Sequence, residues 1–319
     1  MWSYLARRII QALFTLLIIT VLCFILTRLS ADPMAQYATS QRMSSEDREA
    51  LRERLGLNDP LPVQYFKWLA LAVQGELGNS FFSKQPVALM ISQRLPNTLV
   101  LMVTAEIITV FIALLFGILA AIKQYSFTDN IITAFSFMGY SMPIFFIALG
   151  LMLIFAVQFK EWGFPYLPTG ADIWDKKDPA ELLIHLILPV SALVIIQTAG
   201  YARYVRTSML EVLGLDYIRT ARAKGLSSRV VLYKHALRNA ALPLVTIVGL
   251  DIPYLLGGAL VTEQVYAWPG MGRLFWEYAQ RGDFPVVLGV LLIVSSAVVV
   301  FTIITDLIYT VVDPRIRLS

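Results

Sequence analysis

The sequence predicts an all-α integral membrane protein with six transmembrane helices and an extended extracytoplasmic loop between the first two. Three observations carry this. Of 319 residues, 57% are hydrophobic and only 15% charged, with a mean hydropathy of +0.67, the composition of a chain surrounded by lipid. Apolar runs long enough to cross a hydrocarbon layer of about 30 Å recur along its length. Between two of these runs, Tyr201 to Pro243 carries eight Arg or Lys against two acids, and basic clusters of this kind stay on the cytoplasmic side.

The first span covers about 9–29. Arg7 and Arg8 precede an 18-residue apolar run, Ile9 to Leu26. That run outlasts the apolar region of a signal peptide, and Arg28 to Pro33 offers no small-residue cleavage site, so it reads as a retained span. Cys23 lies within it, placed as a small core hydrophobe.

Residues 30–97 read as a polar loop with structure of its own. Ser44 or Ser45 caps a helix over 44–57 that Gly56 stops. A second helix over 63–73 carries Tyr65, Phe66, Trp68 and Leu69, aromatics suited to an interfacial or packed position, and Gly75 and Gly78 end it. Span two covers about 98–121 and contains Glu106. After a link at 122–129, span three covers about 130–158, with a kink expected at Pro143.

Span four begins near Leu182 and leads into the basic segment, where short helices are expected outside the membrane. Span five, about 241–262, holds Asp251 and Pro253. A polar hairpin at 263–284, with a short helix over 271–281, leads to span six at about 285–310, which holds Asp306. Six spans put both termini on one side. That side carries thirteen basic and four acidic residues, and the other thirteen basic and fifteen acidic. The asymmetry places both termini in the cytoplasm.

The net charge of +4 is modest and gathered at one membrane face, which gives nucleic-acid binding no support. His185, His235 and Cys23 are too scattered for a zinc site. No GxxxxGK[ST] run is present, so the chain is not expected to hydrolyse ATP. An ionisable group inside a span is costly and must face protein or water, which singles out Glu106 and Asp251. Asp251 is open to three readings: a polar notch on a pathway wall, an intramembrane pair, or a protonated acid. An ion-coupled secondary transporter is an alternative class, against which stand the long basic loop and the lack of an evident inverted repeat. A membrane-bound enzyme lacks any paired catalytic constellation.

Seven stretches resemble the B-type permease subunit of the dipeptide/oligopeptide/nickel group of ATP-binding-cassette importers. They are RLGLNDPLPVQYFKWL (54–69), GELGNS (75–80), RLPNTLVL (94–101), RYVRTSMLEVLGLDYIRTARAKGLS (203–227), KHALRNAALP (234–243), LLGGALVTEQVYAWPGMGRL (255–274) and the Asp-Pro pair at 313–314. The resemblance covers essentially the whole chain. It implies a type-1 importer permease fold, with an N-terminal span and extracytoplasmic helical loop over 1–93, a permease domain over 94–311 and a cytoplasmic tail over 312–319.

It further implies a non-catalytic subunit in a bacterial or archaeal cytoplasmic (inner) membrane. Its partners would be a second, C-type permease, two ATPase subunits that bind ATP and magnesium, and an extracytoplasmic binding protein. Peptides are the expected cargo, with nickel, glutathione or oligosaccharide as alternatives. The loop that docks on the ATPase falls on Arg219, Thr220, Ala221, Arg222, Ala223, Lys224 and Gly225. Arg219 stands where importers at large have an acid, and His235-Ala236-Leu237-Arg238 where they have IxLP, as in the peptide subgroup. Gly225 is expected to close this helix in a left-handed turn. Glu106, Asp251 and Pro253 are candidates for the translocation path, and Glu263, Trp268, Pro269 and Gly270 for its outer mouth. Asp306 is expected to pair with a basic group.

Overall fold

The structure, a computed structural model, describes residues 2–30, 46, 49, 52–53, 56–170, 178–257 and 259–312. The described residues form helices joined by turns. In order these are α1 (Trp2–Ser30), α2 (Leu61–Val73), α3 (Val87–Ile122), α4 (Phe127–Ser141), α5 (Ile144–Glu161, with a wider π turn at Leu153–Gln158), α6 (Pro179–Leu213), α7 (Asp216–Ala223), α8 (228–240), α9 (Leu242–Gly257), α10 (Leu260–Val265), α11 (Met271–Gln280) and α12 (Phe284–Val312). Among the described residues, five helices are long and apolar enough to cross a membrane: Ala6–Arg28, Val87–Ile122, Ile144–Glu161, Pro179–Leu213 and Phe284–Thr305. The protein is an all-α, multi-pass membrane protein.

The expected span two is too short at its start. The helix begins at Val87, follows Pro86 and runs 36 residues with Pro96 inside it. Pro143 does more than kink span three. Met142 and Pro143 take extended backbone, and Pro143 caps a new helix, so the expected span is two helices, α4 and α5. In the basic segment, residues 201–213 are not short extramembrane helices but the continuation of the 35-residue α6. The helix expected over 44–57 falls largely outside the described residues. Its end is seen: Gly56 has φ +62° and Leu57 N donates to Arg52 O at 2.9 Å, the turn expected of a glycine after a helix.

The bundle is organised on α3 and α6, its most extensive helix pair. Their contact is built from small side chains, with Ala113, Ala121, Ala202 and Val205 all buried, which lets the two backbones approach closely in lipid. α4 and α5 pack on α6, and α12 joins α1, α9 and α11. The aromatics of α2 take the packed role: Tyr65 OH and Thr20 Oγ1 lie 2.9 Å apart, and the Phe24 ring stands 5.6 Å from that of Tyr65, edge to face. Cys23 is half-buried beside this cluster. Ile10, Leu13 and Phe14 on α1 are exposed, as lipid-facing residues are.

Candidate functional site

Three places in the bundle hold the residues that the sequence singles out. At the basic end, α6 turns through Gly214 into α7, and α8 folds back beneath it. Ile218 and Ala221 of α7 are buried against Val231, Ala236 and Ala240 of α8. That burial fixes which way α7 faces: Arg219, Thr220, Arg222, Ala223, Lys224 and Gly225 are all exposed. Of the expected docking residues only Ala221 packs inward, serving its own loop. Gly225 takes φ +76°, Gly225 N donates to Arg222 O at 2.9 Å, and a Cβ there would meet nothing within 4 Å. The left-handed closure is as expected. Arg219 makes a loose contact with Asp216 at 3.4 Å, both side chains exposed, and such a pair contributes little.

One helix above, Asp129 is buried at the start of α4. Its carboxylate accepts from Arg206 Nε at 2.7 Å and Arg206 Nη2 at 2.8 Å, from Tyr125 N at 2.9 Å and from Thr133 Oγ1 at 3.3 Å. A bidentate guanidinium contact of this kind fixes orientation as well as charge. It ties α6, just before the loop, to the connection after α3.

Midway along the bundle, Glu106 on α3 and Asp251 on α9 are brought together by Tyr201 of α6. The phenol oxygen lies 3.1 Å from Glu106 Oε1 and 2.5 Å from Asp251 Oδ2. Glu106 is buried and Asp251 half-buried. Both acids therefore face protein, as the cost of charge in hydrocarbon demands. Pro253 stands two residues beyond Asp251 in the helix, and its side chain is outside the described residues. It has no N–H to give the Gly249 carbonyl, four residues back. Thr305 Oγ1 of α12 donates to that carbonyl instead, at 2.8 Å. The backbone group that Pro253 frees is thus taken by a helix neighbour. The side chain of Asp306, next to Thr305, is outside the described residues.

At the opposite end, Glu263, Trp268, Pro269 and Gly270 meet the first third of α3, at Asn97 and Thr98. Glu263 is fully buried, accepting from Thr98 Oγ1 at 2.8 Å and from Arg273 N at 2.9 Å. Thr98 Oγ1 accepts in turn from Met271 N at 2.7 Å. Asn97 Nδ2 donates to Pro269 O at 2.8 Å, and Trp268 Nε1 donates to Asn97 O at 3.0 Å. A Cβ on Gly270 would overlap the Glu263 carboxyl group, so the turn is built around that side chain. Burial pushes the Glu263 carboxyl above its ordinary range, opposed by the donors from Arg273, Thr98 and Gly272 and by the charge of Arg94. Nearby, Ser80 Oγ donates to buried Asp283 at 2.6 Å, tying the loop after α2 to the start of α12.

Sequence reasoning missed Tyr201, Asn97, Thr98, the Asp129–Arg206 pair and the Ser80–Asp283 contact. Asn97, Thr98 and Ser80 stand inside stretches that already carried the family resemblance, which was the available signal. Among the described residues, no group of three or more His, Cys, Asp and Glu is placed to hold a metal ion.

The protein is by class a multi-pass helical membrane bundle with an exposed basic loop helix at one end and a hydrogen-bonded hairpin at the other. Residues 113–318 match the family described as the binding-protein-dependent transport system inner membrane component, and residues 1–102 match the N-terminal family that accompanies it. The chain belongs to this family and is a non-catalytic permease subunit. It is 43% identical to the oligopeptide transport system permease protein AppB of Bacillus subtilis, over 99% of this chain and all of the relative. A putative peptide permease protein of Brucella ovis is 40% identical over the full length of both. The glutathione transport system permease protein GsiC of Escherichia coli O6:H1 is 35% identical over 99% of each.

Proposed function

We propose that the chain is one of two paired permease subunits of an ATP-driven importer that moves short peptides delivered by an extracytoplasmic binding protein. The observation that carries this is end-to-end similarity, at 43% identity, to an oligopeptide permease. α9 supplies the sixth span, both termini lie in the cytoplasm, and the segments 1–93, 94–311 and 312–319 act as loop-bearing N-terminal part, permease domain and tail. The charge asymmetry supports this orientation.

In this reading the exposed face of α7, from Arg219 to Gly225, enters a groove on an ATPase partner. Backbone approach at Gly225 is unhindered within the chain, which supports close docking. A second permease packs alongside to enclose the path. Asp251 lies on its wall with Glu106 behind it, Pro253 marks the same stretch of α9, and the hairpin from Glu263 to Gly270 frames the outer mouth. The half-burial of Asp251 supports a wall position. The test is reconstitution of the intact complex in liposomes with its binding protein. Di- and oligopeptides should stimulate ATP hydrolysis and accumulate inside, and mass spectrometry of the copurified binding protein should find peptide. Glutathione as cargo, favoured by the GsiC relative, is separated by the same uptake assay.

A further inference from the structure

The Tyr201 bridge has a hydrogen count that requires a proton on one of its two acids, and distance and burial decide which. A phenol carries one hydrogen, and an ionised carboxylate only accepts. Two carboxyl oxygens nonetheless lie within hydrogen-bond distance of Tyr201 OH, Asp251 Oδ2 at 2.5 Å and Glu106 Oε1 at 3.1 Å. The shorter contact has the length of an O–H donating to a charged carboxylate, so the Tyr201 hydrogen belongs to Asp251. The Glu106 contact must then receive its hydrogen from Glu106 itself. If Glu106 were ionised, two acceptor oxygens would face each other. Its other oxygen, Oε2, is also buried and meets no donor among the described residues, so an ionised Glu106 would be a buried charge with no hydrogen bond from any of them, a costly arrangement.

The charged surroundings do not relieve this. Among the described residues, no ion pair reaches Glu106 or Asp251. On α6 the nearest guanidinium in sequence, Arg203, is two residues from Tyr201 and so on another side of the helix. On α3 and α6 the next polar pair, Thr109 donating to Gln197 Oε1 at 3.2 Å, is neutral. On α12, Thr305 bonds the backbone of Gly249.

We propose that Glu106, Tyr201 and Asp251 form a proton-binding site in the middle of the bundle. One proton resides on Glu106 and is donated to the Tyr201 oxygen, while Tyr201 donates to ionised Asp251. The two acids then carry one negative charge between them, not two, and the chain of hydrogen bonds ties α3, α6 and α9 together. The proton is held, not consumed, so no bond to substrate forms or breaks. This assignment stands on the geometry of the three side chains, whatever the cargo.

The test is infrared difference spectroscopy of the intact transporter complex at neutral pH, wild type against Glu106→Gln. Loss of a protonated-carboxyl C=O stretch that shifts in deuterated buffer is the expected result. Loss of carboxylate bands alone overturns the assignment. Glu263 is common to both samples and cancels. Where Glu106→Gln does not assemble, Tyr201→Phe serves in its place. Removing the phenol acceptor should move the same acid band to higher frequency, whereas an unchanged protonated-carboxyl region contradicts a proton on Glu106. Uptake is not the readout, so failure here is distinguishable from failure of the transport reading.

Discussion

The Thr98 hydroxyl donates to Glu263 across 165 positions of sequence, at 2.8 Å, and both side chains are fully buried. Together with the bonds of Asn97 to Pro269 and Trp268 and of Thr98 to Met271, this contact holds the hairpin that precedes α11 against the first third of α3. Thr98→Val keeps the shape but removes a donor from Glu263 and an acceptor from Met271 N. Each group left unpaired costs about 1–3 kcal/mol. Thermal unfolding of the purified complex in detergent should show Thr98→Val clearly destabilised and Thr98→Ser close to wild type. Equal stability of the two variants would remove the hydroxyl from the network.

Asp129→Asn should loosen the α4–α6 junction. It exchanges a carboxylate that accepts two guanidinium bonds for an amide that can accept at only one atom. Hydrogen bonds to charged groups contribute about 1.5–3 kcal/mol, and the loss should appear as a lower unfolding midpoint. Arg206→Lys should recover only part of the wild-type value, because an ammonium cannot make the bidentate contact.

Orientation is checked by single cysteines in a Cys23→Ser background. Asp178 and Ser228 are both exposed. In intact cells an impermeant thiol reagent should label Asp178→Cys and leave Ser228→Cys untouched. Labelling of Ser228→Cys would reverse the topology.

Asp251→Asn keeps size and one acceptor while removing charge. With Asp251 on the path wall, the complex should assemble and uptake of peptides with a free amino end should fall more than uptake of amino-blocked ones. Equal uptake of both by variant and wild type would take Asp251 off the path. Loss of the assembled complex would identify the Tyr201–Asp251 contact as structural.

Much of this fold was legible in the sequence because lipid imposes simple rules on long apolar runs. The loop helix was legible in part: Gly225 marks its left-handed end, but Ala221, expected on the docking face, packs inward beside Ile218. Helix limits were less so. Val87 to Asn97 reads as loop because it mixes Ser92, Gln93, Arg94 and Pro96 among apolar residues, yet it packs on α11 and α12 and is helical for that reason. Pro143 signals an irregularity, but whether a proline kinks or breaks a helix depends on what packs around it. Tyr201 was invisible as a site residue because a tyrosine beside a basic segment suggests a membrane boundary. Its role depends on Glu106 and Asp251 arriving from two other helices, which periodicity along one chain does not encode.

In the proposed docking of α7 on an ATPase partner, Gly225 is the residue whose replacement would break the contact at least cost to the rest of the fold. Gly225 has φ +76° and open space where a side chain would go, so a substitution there strains the turn by about 1–2 kcal/mol without a clash inside the chain. Asn, which enters the left-handed region readily, separates strain from bulk. The measurement is recovery of the ATPase subunits with the tagged permease from detergent extract. Gly225→Val should insert normally but recover far less ATPase than wild type, and Gly225→Asn should also fall short because its side chain blocks close approach. Wild-type recovery for Gly225→Val, with normal substrate-stimulated ATP hydrolysis, would mean that α7 does not dock on the ATPase through Gly225.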